Sequence, residues 1–263
     1  MRKRVPPIWE EWRRLETALQ KRDLILLCDY DGTLAPISAD PKLAVLPAGT
    51  KAALRVLSRK KHVIAGIVSG RSLGEVRAMV GLKNVLYIGS HGYELALPGR
   101  SKECRLSRAQ LARLQNFGME LEKVLAGLRR IWVEHKAAGI AVHYRTASRN
   151  EARLAVKKLR CLAKTERKDF RIQKGKKVFE FLPLGRITKG SAVREAAKRL
   201  KTRRQRVNVY LGDDLTDESV FSSLGHRDFS IFVGRPQASS ARYSLRSPSE
   251  VRKFLVKLGG ITR

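Results

Sequence analysis

Two aspartates two residues apart, Asp29 and Asp31, stand in the stretch CDYDGTLAPI, which follows the apolar run Leu24–Leu27, with Gly32 and Thr33 behind them. A second acidic group, Asp213, Asp214 and Asp217, follows the stretch NVYLG; Ser69 closes another apolar run, and Lys189 opens a helical one. Five carboxylates converging on one crevice repel strongly unless a cation neutralises them, and hard oxygen donors select Mg2+ over softer metals. A lysine ammonium and a serine hydroxyl brought to the same place bind phosphate, and such a cation bridges carboxylate and phosphate oxygens. The combination points to phosphoryl transfer. One carboxylate can attack phosphorus to give an aspartyl-phosphate, and a second, two residues on, can protonate the leaving alcohol and later deprotonate water. Gly32 lets the chain turn sharply beneath a phosphate, and Thr33 is expected to tie the loop to itself. Alone, Asp-x-Asp-Gly equally describes an Asx turn or a calcium-type turn; Ser69, Lys189 and GDDLTDE at neighbouring element ends favour the chemical reading.

These groups meet only if the elements before them lie side by side and run the same way. An amphipathic opening helix is expected in IWEEWRRLETALQKR, and Leu24–Tyr30 reads as a short strand buried on both faces. PAGTKAALRVLSRK has helical spacing, HVIAGIVSGR is a β-branched run ending at Ser69, Gly70 and Arg71, SLGEVRAMVG is helical, and NVLYIGSHGYEL returns to strand. Such alternation describes βαβ crossovers and a parallel sheet whose ligands bind beyond the carboxyl ends of the strands. After Pro98 the pattern changes to a helix, the strands IWVEHK and GIAVHYR, a second helix, and the strands FRIQ and KKVFEFLP. From Gly185 the first pattern resumes and closes on SPSEVRKFLVKL, with Ser247, Pro248 and Glu250 placed to start a helix. The expected fold class is therefore α/β, a Rossmann-like parallel-sheet body formed by residues 1–98 and 184–263, with an inserted α+β cap over residues 99–183.

Strand alternation puts Trp132, Glu134 and Lys136 on one face of WVEHK, and Ala141, His143 and Arg145 on one face of AVHYR. In KVFEF, Val178 and Glu180 oppose Phe179 and Phe181. The apolar faces are expected against the two cap helices, leaving Glu134, Lys136, His143, Arg145 and Glu180 on a polar sheet face over the crevice. Such a face suits sugar hydroxyls, which carboxylates accept and Lys or Arg donate to; a merely solvated sheet face is the alternative. Arg71 reads either as a group touching substrate or a hinge, or as a helix-start residue. Cys28 points away from Asp29 and reads as core. The Lys/Arg run from Arg153 to Lys168 reads as a solvated helix face, with partner docking as the alternative.

The chain has 263 residues, 43% of them hydrophobic, which suits an ordered globular protein. No apolar run approaches the roughly 18 residues that span a bilayer, and MRKRVPPIWEEWRRL becomes charged before a signal-type core can form. Three scattered cysteines without CxxC spacing suggest neither a disulfide framework nor a zinc site, and a reducing cytoplasm is the expected location. The charge is the anomaly: 55 Lys and Arg against 24 Asp and Glu give +31. Residues 101–180 carry 21 basic and 8 acidic side chains, or +13, leaving +18 elsewhere, so the excess is general. With aromatics at only 6%, nucleic-acid binding as the main function is disfavoured against a generally cationic surface or a docking face for an acidic partner.

DYDGT resembles the first motif of haloacid-dehalogenase-type phosphatases, with Ser69, Lys189 and Gly212-Asp213-Asp214 at the second, third and fourth motif positions. More closely, DYDGTLAPI, VSGR, GSHGYE, WVEHK, VHYR, KKVFEFLP, TKG and LGDDLTDES are similar, in that order, to the pattern of trehalose-6-phosphate phosphatases, over Asp29 to Ser219. The resemblance implies a haloacid-dehalogenase-like body, Asp29 as nucleophile and Asp31 as general acid and base. It also implies Mg2+ held by Asp29, the backbone carbonyl of Asp31 and Asp213, with Asp214 and Asp217 in or just outside the metal shell. Ser69, Gly70 and Lys189 would hold the phosphate. His91 and Gly92 match a further element of the pattern, although His91 also reads as a satisfied loop histidine. The implied activity is Mg2+-dependent hydrolysis of trehalose 6-phosphate, with a trehalose-phosphate synthase as candidate partner. The alternatives are a phosphatase for sucrose phosphate or a glycosyl phosphoglycerate, and a cationic protein that binds nucleic acid or an acidic partner.

Overall fold

The computed structural model describes residues 5–38, 43–175, 177–185, 187–235 and 238–262. By internal contacts the chain divides into two compact units, Met1–Glu103 with Ile187–Arg263, and Cys104–Arg186.

In the first unit, β1 (Asp23–Asp29) is buried along its whole length because it lies between two parallel neighbours, β10 (Arg206–Gly212) and β2 (Val63–Val68). Its side chains alternate between two cores. Leu24, Leu26 and Cys28 face one core, with Leu15, Leu54 and Phe254. Those residues come from α1 (Trp12–Leu19), α2 (Ala48–Ser58) and α8 (Pro248–Ile261). Ile25 and Leu27 face the other, with Ala192 and Ala196 of α6 (Lys189–Arg199) and Phe221 of α7 (Glu218–Phe221). A strand covered on both sides must be apolar throughout, which is why its sequence shows a continuous run rather than alternation. Each fully buried aliphatic side chain of this kind contributes roughly 1.5–3 kcal/mol, so the strand is strongly held up to Asp29.

Among the described residues the sheet has eight strands in the order β12-β11-β10-β1-β2-β3-β4-β5. The outer members are β3 (Leu86–Gly89), β4 (Glu94–Ala96), β5 (Glu103–Cys104), β11 (Phe229–Val233) and β12 (Tyr243–Leu245). Pairing is parallel from β12 to β3, and β4 returns antiparallel to β3. The α/β class with a parallel sheet is thus the observed one. NVLYIGSHGYEL, read from sequence as one strand, is two strands reversed through Ser90–Gly92, where Ser90, His91 and Gly92 all have positive φ. Gly92, at φ +108°, is required there: a Cβ would stand 2.7 Å from the carbonyl oxygen of Thr188. The opening helix begins with a 3-10 turn at Ile8–Glu11 before α1. At the start of α8, Ser247 Oγ accepts from Glu250 N with Pro248 in the first turn, while the Glu250 carboxylate takes Arg246 N rather than the amide of Ser247.

The second unit contains α4 (Arg108–Leu125), β6 (Trp132–Lys136), β7 (Gly139–His143), α5 (Arg149–Thr165), β8 (Phe170–Gly175) and β9 (Val178–Pro183). Its sheet is antiparallel in the order β6-β7-β9-β8. Phe117 of α4 packs on Phe170 and Phe181 at 4.7 and 5.0 Å between ring centroids, which places α4 on one sheet face. No helix among the described residues is long and apolar enough to cross a membrane.

Candidate active site

Asp29 is the last residue of β1 and shares parity with Ile25 and Leu27, so its carboxylate points to the side covered by α6. The first residue of α6 is Lys189, and Thr188 caps the helix by accepting from Ser191 N. The lysine is only 3% exposed, and its Nζ donates to Asp29 Oδ1 at 2.6 Å and to Asp217 Oδ1 at 2.8 Å. Burial works against an ammonium there, but Asp29 and Asp217 outweigh it and push the lysine above its ordinary range, so it remains protonated.

Oxygens of Asp29, Asp213 and Asp217 lie within 4.8 Å of one another. Sequence alone brought five carboxylates to this point; the structure brings three. Asp214 turns into its own loop, accepting from Thr216 N at 2.7 Å and Thr216 Oγ1 at 2.6 Å. Asp31 turns to Arg71, which holds it in a two-point fork at 2.7 and 2.6 Å. Thr33 does not tie its own loop together; it donates to Asp213 Oδ1 at 3.3 Å and so couples the two acidic loops. Gly32 makes that approach possible, because at φ +82° an added Cβ would stand 1.9 Å from Asp213 Oδ2.

The roles of the three carboxylates separate by their hydrogen bonds. Asp217 is saturated: Oδ1 accepts from Lys189 and from Tyr210 OH at 2.7 Å, and Oδ2 accepts from Asp213 N and Asp214 N at 3.0 and 3.2 Å. It therefore shapes the loop. Asp29 and Asp213 each keep one oxygen without a hydrogen bond among the described residues. Burial, together with Asp217 and Asp213, pushes Asp29 well above the usual carboxylate range against the pull of Lys189. Burial, with Asp217 and Asp214, pushes Asp213 up to about 7. Two hard-oxygen donors whose ionised forms are penalised are the chemistry a divalent cation relieves, so these residues fit one.

Ser69 follows β2 and is 1% exposed; Asp29 lies beside Val68 in the register, so the hydroxyl stands at the adjacent strand end. Its Oγ accepts from Arg71 N at 3.1 Å. Beside it, His91 N donates to Ser69 O at 3.1 Å, and the His91 ring covers Gly70 so closely that a Cβ there would be 2.6 Å away. Arg71 is a neighbour of Asp31 and lies 5.7 Å above the Tyr30 ring. A group that sequence reasoning did not single out holds this loop: Glu94, fully buried, accepts from the N–H of Leu73, the first residue of α3 (Leu73–Val80), at 2.8 Å and from Ser90 Oγ at 2.6 Å, and pairs with Lys102. The signal was present as an acidic residue inside the apolar run YELAL. Tyr210 gave no such signal, since a tyrosine in a buried strand reads as core.

In the second unit, Trp132, Glu134, Lys136, Ala141, His143 and Glu180 share the face opposite Phe179 and Phe181. Glu134 Oε2 meets His143 Nε2 at 2.8 Å, and Lys136 Nζ donates to Glu180 Oε1 at 2.6 Å. Trp132, not among the candidates, stacks on His143 at 3.9 Å between centroids and remains 49% exposed. Arg145 departs from the expected face. β7 ends at His143, because its partner β9 begins at Val178 and Tyr144 N closes the ladder on Lys177 O. Arg145 then falls in the turn that leads to α5, exposed.

A model of the trehalose-phosphatase family matches residues 27–249. A trehalose-phosphate phosphatase of Mycobacterium ulcerans is 35% identical over 237 residues, covering 88% of this chain and 60% of that protein. A probable trehalose-phosphate phosphatase of rice is 32% identical over 261 residues, covering 92% of this chain and 70% of that protein. The chain thus spans about 60% of the length of the mycobacterial relative. Among solved structures, the C-terminal domain of a Candida albicans trehalose-6-phosphate phosphatase aligns over 98% of both chains with a TM-score of 0.77 at 23% identity, a similarity of fold.

Proposed function

The chain belongs to the trehalose-phosphatase family, and from that premise we propose that it hydrolyses trehalose 6-phosphate to trehalose and phosphate, with Mg2+ as cofactor. The observation that carries the reading is the buried Asp29–Lys189–Asp217 arrangement beside Asp213 at adjoining strand ends. Asp29 attacks phosphorus, the bond from phosphorus to the sugar oxygen breaks, and the Asp31 carboxyl delivers its proton to that oxygen. Water then attacks the aspartyl-phosphate with Asp31 taking its proton, the bond to Asp29 breaks, and phosphate leaves. Asp29 and Asp213 would hold Mg2+, with the Asp31 carbonyl, and the ion would offset charge on the phosphate oxygens. Lys189 keeps Asp29 oriented and, with Ser69 and the Gly70 backbone, binds the phosphate. Asp217 positions Lys189 and the Asp213–Asp214 backbone, and Asp214 braces the loop through Thr216. Arg71 orients the Asp31 carboxyl between turnovers, and His91 and Gly92 buttress Ser69 and the start of α6.

Sugar recognition is assigned to the second unit. Glu134, Lys136, His143 and Glu180 carry donors and acceptors on one sheet face, Arg145 adds a cation beyond the strand end, and Trp132 offers a flat apolar surface to a pyranose ring. A trehalose-phosphate synthase remains the candidate protein partner, and the cytoplasm the proposed location. The test is phosphate release from trehalose 6-phosphate, sucrose phosphate, a glycosyl phosphoglycerate and glucose 6-phosphate, with and without Mg2+. Trehalose 6-phosphate with Mg2+ should give the highest kcat/KM, and Asp29→Asn should abolish release. Equal rates on all four esters, or near wild-type release by the Asp29→Asn variant, would overturn the substrate or the nucleophile respectively.

A further inference from the structure

The sequence disperses positive charge over the whole chain, whereas the structure concentrates part of it on one helix. Between Arg149 and Arg171 there are nine basic and three acidic residues, a net of +6. Arg149, Arg153, Lys157, Arg160 and Lys164 recur at intervals of four, four, three and four along α5, so they form a single row on one face, and all five are exposed. Fifteen residue steps from Arg149 to Lys164 make that row about 22 Å long. Exposed Arg167, in the 3-10 turn that follows, carries the charge beyond the helix.

Nothing in the segment neutralises the row. Its three carboxylates are turned elsewhere: Glu151 accepts from Arg129 N and Ser148 Oγ, and Glu166 and Asp169 both bind Arg113. None of the five row cations has a carboxylate partner among the described residues. Like charges three and four residues apart destabilise a helix, so the row is held at a cost to α5 itself. An internal structural use is seen for the neighbouring Lys158, which is not in the row and donates to Val124 O at the end of α4. The row borders an open groove of about 1050 Å³ whose other wall includes Tyr144 and Lys177, and a second of about 630 Å³ continues past Arg160 and Lys164 to Arg167 and Arg171.

We propose that this face of α5 is a docking surface for the phosphate backbone of duplex DNA, independent of the phosphatase reading. Duplex DNA carries one charge per about 1.7 Å counting both strands, so a row of about 22 Å lies along a length of duplex with about thirteen phosphate charges. The predominance of arginine suits the phosphate oxygens, which a guanidinium meets at two points. A protein partner is less favoured because stable protein interfaces centre on aromatic or large apolar anchors: the larger groove offers small residues such as Ala147, Ala152 and Val156 between the cations, and of the larger apolar residues in the second, Phe170 is buried and Leu184 stands at the far end from the row. Two aromatics line the grooves beside so many cations, Tyr144 and the buried Phe170, which points to backbone contact without reading of bases.

The test is fluorescence anisotropy of a labelled duplex with the full chain at increasing salt. Binding should weaken linearly in log–log form with a slope near −0.9 per phosphate contacted, or about −4 to −5 for the row. The triple variant Arg153→Glu/Lys157→Glu/Arg160→Glu should flatten that slope by about 3 and weaken binding more than tenfold at about 0.1 M salt, with helix content and phosphate release unchanged. A control with the same charge change at Arg55 of α2, Arg59 just after it and Lys253 of α8, Arg55→Glu/Arg59→Glu/Lys253→Glu, should bind nearly as wild type. Equal losses in both triples would overturn the proposal in favour of diffuse charge. Displacement of the duplex by poly-glutamate at matched charge concentration would overturn it in favour of an acidic polypeptide partner.

Discussion

Asp213 ties the stability of the cation-free protein to pH. Burial and the charges of Asp217 and Asp214 raise its pKa from the ordinary 3.8 to about 7. Between those values the native state holds a proton that the unfolded chain has lost. The native state then binds more protons, so stability falls as pH rises through that window and levels off above it. At about 1.4 kcal/mol per tenfold change in proton activity, the fall has a ceiling of about 4 kcal/mol, reduced by the water that reaches a half-buried carboxyl. Urea unfolding in chelator-containing buffer from about pH 4 to about pH 8 measures it directly. Asp213→Asn removes the titrating group while keeping its size, so its curve should lose this part of the fall and retain the part that Asp29, also raised by burial, contributes. Mg2+ added above about pH 7 should restore stability to the wild type by mass action and restore less to Asp213→Asn. Parallel pH curves for the two proteins, with equal stabilisation by Mg2+, would refute the account of why these carboxylates tolerate one another.

Lys189→Met leaves Asp29 and Asp217 buried without their cation; it should cost about 3–5 kcal/mol in chemical denaturation and lower phosphate release about 10²–10³-fold. A folded variant within tenfold of the wild-type rate would contradict the placement of Lys189 beside the nucleophile. Gly32→Ala should cost about 1–2 kcal/mol for its left-handed backbone and more for the clash with Asp213. Its readout is a higher Mg2+ concentration for half-maximal activity, and an unchanged Mg2+ dependence would mean that Asp213 holds no cation.

Much of the fold was legible because its physical causes are local. A parallel strand covered on both faces must be apolar throughout, and LILLC is; a helix start needs a hydroxyl cap, and Ser247 supplies one with Pro248 behind it. The reversal at Ser90–Gly92 was not legible, because it depends on the distant Thr188 carbonyl against which Gly92 packs. Arg145 was misplaced for a similar reason: alternation describes a strand for as long as a partner exists, and β9 starts at Val178.

The sequence by itself determined which chemistry the crevice can hold. Residue type decides that carboxylates, a lysine and a hydroxyl handle phosphate and hard cations, and the order of strands and helices decides that they meet at carboxyl ends. Only the tertiary structure decided what each carboxylate does. Asp31 faces Arg71, 40 residues away; Asp214 faces Thr216, two residues away; Asp213 accepts from Thr33, 180 residues away; and Asp217 is saturated by Lys189, Tyr210 and two backbone amides. Hydrogen bonds operate over about 3 Å, and their partners are brought within that reach by packing of the whole domain rather than by any spacing along the chain.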